Sequence, residues 1–110
     1  MTAALAMRDL IRAYDAFARK DCLTATQLAL RAAHRRSNPP EVRCDAYMLL
    51  TLTALLLDSP EGALSYAVGA NLLAYKLDDE EVEQQAEAIL DLVLAQYPEL
   101  STASDMNQEH

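Results

Sequence analysis

The residues of this chain best suited to chemistry are few: His34 and His110, Cys22 and Cys44, an acidic run from Asp78 to Glu83, and a basic cluster around Arg35. An active site needs a nucleophile, an acid or base and a stabilising group converging on one point. No HExxH, GxSxG, P-loop or GxGxxG spacing supplies such a set, so the chain is not expected to be an enzyme and no catalytic residue is assigned. His34 adjoins Arg35 and Arg36 at the expected end of a helix, where positive charge complements the helix dipole, and this is its simplest role. Cys22 and Cys44 lie 22 residues apart with no CxxC pair and no His-rich neighbourhood. They spell neither a zinc site nor a redox motif and are expected to be reduced, structural thiols; a disulfide would need close backbones and an oxidising compartment.

Asp78, Asp79, Glu80, Glu81 and Glu83 form the densest group of carboxylates. Hard cations such as calcium bind clustered carboxylates, but an EF-hand loop wants acids at alternate positions with a central Gly, and the spacing of this run, which has no Gly, does not match it. Its expected role is a solvated helix N-terminus favoured by the dipole, with no metal and no cofactor. Arg31, Arg35, Arg36 and Arg43 raise the question of an anion or nucleic-acid patch. No aromatic residues are interleaved to stack bases, and the formal net charge is −8, so nucleic acid is not an expected partner. That charge is unevenly spread. Over residues 1–44 eight basic side chains outnumber four acids, a balance of +4, while over 45–110 Lys76 faces thirteen acids, a balance of −12.

These groups sit on a frame that is expected to be all-α. At 110 residues the chain fits one domain, and a composition 52% hydrophobic with 2 Gly and a single Phe suits helices packed through small side chains. The first ten residues include Arg8 and Asp9 and lack the apolar run of a secretory signal, which makes the cytoplasm the expected compartment. The longest apolar stretch, 46–57, holds 12 residues where a bilayer span needs roughly 20, so no membrane association is expected.

Start and stop signals divide the chain into five helices. The first runs from about 2 to 19, with Leu5, Ile11, Tyr14, Phe17 and Ala18 as a broken apolar stripe. Asp21 is placed to cap the second, which ends in the basic cluster. Ser37-Asn38-Pro39-Pro40 is a firm break, because proline disfavours helical geometry in the preceding residue and donates no backbone hydrogen bond. A third helix spans about 40–57. Ser59 and Pro60 then mark the start of a fourth, to about 75, with Ser59 placed to cap and Pro60 at the first helical position. Asp78 with Glu81 resembles a capping box opening a fifth helix to about 96, closed by Pro98. Short connections imply antiparallel neighbours, hence helical hairpins, in a domain covering 1–98 with a polar tail, expected to be disordered, over 99–110.

At an offset of 38 residues Ala16 aligns with Ala54, Ala25 with Ala63, Ala29 with Ala67 and Ala32 with Ala70, and the caps Asp21 and Ser59 share the register. Small residues there let two helices approach closely. With Tyr47 at the bulky first-helix position, Leu50 one turn later, and Ala63, Ala67 and Ala70 on the second helix, the pattern over 10–73 resembles the tetratricopeptide repeat, a hairpin of about 34 residues. It departs from that family at Thr51, where glycine is favoured, at Ala54, where an aromatic is usual, and in a period about four residues too long, the excess falling at 37–41. The resemblance implies five antiparallel helices arranged as two helical hairpins plus a C-terminal capping helix, in a right-handed stack or bundle.

The third helix is apolar nearly all the way round over 46–57, which a surface helix rarely is. Either its own domain covers it or a partner does. In tetratricopeptide-like stacks the first helix of each hairpin lines a concave groove, and the resemblance therefore places Met48, Leu52, Leu55 and Leu56 on that groove, with Leu10, Tyr14 and Phe17 as counterparts in helix one. The implied function is a protein–protein interaction module, a small adaptor or client-binding chaperone that takes an apolar helix or extended segment of another protein. Small secretion chaperones of this type are similar in size and acidity. The alternative is a structural or regulatory homodimer in which the apolar face of helix three meets its own copy, or the basic first hairpin meets the acidic last helix head to tail.

Overall fold

The computed structural model describes residues 2–101, with the backbone alone for 2, 3, 4 and 6. The described chain is all-helical: α1 (Thr2–Ala18), α2 (Cys22–His34), α3 (Pro40–Leu56), α4 (Pro60–Leu77), α5 (Glu80–Gln96) and a one-turn α6 over 98–101. No helix among the described residues is long and apolar enough to cross a membrane.

The helix ends follow from local chemistry, with two differences from the sequence reading. Asp21 caps α2 by accepting from the Thr24 N–H at 3.3 Å, and Pro40 and Pro60 occupy the first turns of α3 and α4. Ser59 holds the N-cap position of α4 but its hydroxyl makes no capping bond. The Asp78–Glu81 capping box does not form. Helix α4 runs on to Leu77 and is closed by Asp78 itself, in the left-handed conformation with φ 54°. The capping role therefore passes to Asp79, whose carboxylate accepts from the N–H groups of Glu81 and Val82 at 3.1 and 3.4 Å.

The 38-residue offset recurs in the backbone. Helices α1 and α3 span 2–18 and 40–56, and α2 and α4 begin at 22 and 60. Lys20 and Asp58, also 38 apart, are both left-handed, with φ 62° and 54°. Around them the Asp21 and Ser59 N–H groups donate to Ala16 and Ala54 oxygens, each at 2.9 Å. The Lys20 and Asp58 N–H groups donate to Phe17 and Leu55 oxygens at 2.9 and 3.1 Å. This is the Schellman closure, which satisfies the last carbonyls of a helix while turning the chain.

Alanine seams hold the pairs together. Ala16, Ala25, Ala29, Ala32, Ala63, Ala67 and Ala70 are fully covered and Ala54 nearly so. Each of the five long helices packs on the next, and α3 also touches α1 and α5. Helices α1, α3 and α5 thus lie side by side, with α2 and α4 covering one side of the row. The shortest molecular dimension, 21 Å, corresponds to two helix diameters of about 10 Å. Three apolar clusters fill the interior, and Tyr47, Tyr66 and Ile89 each pack against two of them.

The run that is too apolar for a surface helix is largely absorbed by this packing. Val42, Cys44, Ala46, Met48, Leu49, Leu50 and Ala54 of α3 are buried. Thr51 and Thr53 are buried too, their hydroxyls donating to the Tyr47 and Leu49 carbonyls at 2.8 and 2.9 Å, so neither is left unpaired. Of its large apolar residues Tyr47, Leu52 and Leu55 are half-buried, and Leu56 and Leu57 are exposed at its end. Helix α5 is tied on by Asn71, whose Nδ2 donates to the Ala67 and Ala86 carbonyls, both at 2.9 Å. Tyr97 donates to Asp58 at 2.7 Å, and Leu100 of α6 packs beside it, so helical structure continues beyond Pro98. The remainder of the expected tail, 102–110, lies outside the described residues.

Candidate functional site

The side of the row not covered by α2 and α4 carries a shallow hollow of about 320 Å³, lined by Tyr14 of α1, Asp45, Met48 and Leu52 of α3, and Gln85, Ala88 and Ile89 of α5. Helical periodicity explains the set. Asp45, Met48 and Leu52 stand at i, i+3 and i+7 on one face of α3, and Gln85, Ala88 and Ile89 form a matching stripe on α5. The hollow is mainly apolar, with one carboxylate at its edge. Tyr14 bridges to that carboxylate: its hydroxyl donates to Asp45 Oδ1, fixing α1 against α3. Burial first, and the Asp45 hydrogen bond second, push the Tyr14 phenol above its ordinary value, so it remains a neutral donor.

Of the residues expected to line a groove, Tyr14, Met48 and Leu52 meet at this hollow, although Met48 shows only a small edge, 8% exposed. Leu10 is not on the groove. It is 3% exposed and joins the cluster between α1, α2 and α3, with Phe17 packed against the same cluster, because the apolar arc of α1 is wider than the groove and its inner edge meets neighbouring helices. Leu55 packs against the third cluster, and Leu56 stands in solvent at the end of α3. Four lining residues were not expected on the groove: Asp45, Gln85 and Ala88, which are polar or small, and Ile89, which lies on the helix expected only to cap the stack. Their spacing was the available signal. A broader depression beside Met7, Arg8, Ile11 and Arg12 is lined by α1 alone among the described residues.

The chemistry-bearing residues are scattered. Cys44 is buried, its thiol donating to the Ala70 carbonyl at 3.4 Å, and burial with the nearby Asp45 charge raises its pKa to about 11, which disfavours the nucleophilic thiolate. Cys22 is half-buried, and both thiols are free. His34 lies at the end of α2 with its ring 6.0 Å from that of Tyr47. Arg43 Nε donates to the Ala33 carbonyl at 2.8 Å and so satisfies the C-terminus of α2. Among the described residues no three His, Cys, Asp or Glu side chains converge to hold a metal ion. Comparison with protein-family models, with curated proteins and with solved structures finds no match to this chain.

Proposed function

We propose that this chain is a protein–protein interaction module, a small cytoplasmic adaptor or client-holding chaperone. In this reading it is a tetratricopeptide-like stack of two antiparallel hairpins, α1–α2 and α3–α4, with α5 as a capping helix. Its groove takes an apolar helix or extended segment of another protein. The observation that carries the proposal is the hollow where Tyr14, Met48, Leu52 and Ile89, from three different helices, meet with no element of the described chain over them. The 38-residue recurrence of the left-handed turns and alanine seams supports the stacked-hairpin reading. The scatter of His and Cys favours binding over catalysis. Self-association through α3 is the weaker alternative, because its own domain covers most of that helix.

The test is titration of the protein with amphipathic helical peptides, read by fluorescence anisotropy. Leu52→Glu introduces a charge into the hollow and should weaken binding at least tenfold, about 1.4 kcal/mol, while leaving helicity intact. Equal affinity of the folded variant and the parent would refute the groove.

A further inference from the structure

A second apolar surface lies on the opposite side of the molecule and plays no part in the groove. Helix α4 exposes Val68, Leu72 and Tyr75, at 42%, 62% and 80%, and their i, i+4, i+7 spacing places them in one stripe. Soluble monomers seldom leave such a stripe without charged interruptions. Here the α4 charges are confined to its ends, Glu61 and Lys76, both exposed. Fifteen residues at 1.5 Å each separate them by about 22 Å, so they do not pair with one another. Neither has an ion-pair partner among the described residues.

This arrangement is self-complementary. When two α4 helices are laid antiparallel about a two-fold axis beside Val68, Glu61 of each copy meets Lys76 of the other, and Leu72 falls over Ser65. One axis thus satisfies both charges twice and covers both apolar stripes, as an isologous interface requires. Other occupants fit less well. A lipid surface recruits helices flanked by several cations, and Lys76 is the one Lys or Arg over 45–110. The same acidity disfavours nucleic acid. We propose that α4 is a homodimerisation face, closed by reciprocal Glu61–Lys76 ion pairs around Val68, Leu72 and Tyr75. A lone helix pair lies at the small end of protein interfaces, below about 1,200 Å², so the dimer is reversible and concentration-dependent.

Sedimentation velocity of the full chain over a hundredfold concentration range tests this. The parent should shift from monomer to dimer, and Leu72→Glu should remain monomeric with unchanged helicity. Glu61→Lys and Lys76→Glu should each weaken the dimer, and the double variant should restore it. A monomeric parent at every concentration overturns the proposal, as does a dimer that survives Leu72→Glu. Failure of the double variant to restore assembly overturns the two-fold register. Leu72→Glu should leave groove peptide affinity unaltered, so the two surfaces stand or fall separately.

Discussion

The two helix pairs α1–α2 and α3–α4 share a backbone plan and differ in what surrounds it. Their turns at Lys20 and Asp58 make the same hydrogen bonds, and their alanine seams occupy the same positions. Yet Arg8, Ile11 and Arg12 of α1 are exposed, while the residues 38 positions on, Ala46, Leu49 and Leu50 of α3, are buried. The cause is position in the row. Helix α3 has α2 packed on it from the preceding pair, whereas among the described residues α1 has no such neighbour. Its corresponding face is exposed among the described residues and carries Arg8 and Arg12. The seam and the turn recur in both pairs, and the positions outside them differ with what packs around them.

The sharpest break in this comparison comes from equivalent residues in unlike surroundings. Leu49→Ala should cost about 2–5 kcal/mol in urea unfolding, through lost burial and the cavity left behind, while Ile11→Ala, at 62% exposure, should stay within about 0.5 kcal/mol. Comparable losses at both positions would mean that α1 is covered on its outer side. The seam should behave in the opposite way. Ala29→Leu and Ala67→Leu each force a larger side chain between close helices and should destabilise by about 1–3 kcal/mol, to a similar extent in both pairs.

Much of this frame was legible in the sequence. Prolines and capping residues mark helix starts within about a residue, because each acts through its nearest backbone groups. The left-handed turns were not legible, since Lys20 and Asp58 lack the glycine signature and the conformation is imposed by the Schellman bonds around them. Nor does an apolar arc reveal which edge faces a neighbour: Leu10 and Tyr14 lie one turn apart, and one is core while the other borders the hollow. Asp78 and Asp79 are chemically equivalent as caps, and only the longer course of α4 decides between them.

The turns give a subtler contrast. Lys20→Gly removes a side chain from a left-handed site and should stabilise by up to about 1 kcal/mol. Asp58→Gly gains the same relief but deprives Tyr97 of its acceptor, so its net gain should be smaller, as thermal denaturation will show. The caps differ in pH response. Hydrogen bonds from Thr24 hold the Asp21 carboxyl below its ordinary value of 3.8. Its stabilising effect is therefore present above that pH and lost as pH falls through the lower, folded value. Asp21→Asn should flatten this part of the acid unfolding curve, and Ser59→Ala should leave it unchanged, because Ser59 makes no capping bond. The smallest perturbation is chemical labelling at pH 8: Cys22 should react with a thiol reagent in the native protein, and Cys44, with its pKa near 11, should react only after unfolding.

The proposed role of the side of the α1, α3 and α5 row left open by α2 and α4 is to bind another protein's apolar segment. Anisotropy titration of an amphipathic helical peptide into the parent, Leu52→Glu and Leu72→Glu tests it most directly. Saturable binding is expected for the parent and for Leu72→Glu, with at least a tenfold loss for Leu52→Glu. Equal binding by all three, or a loss confined to Leu72→Glu, would contradict it.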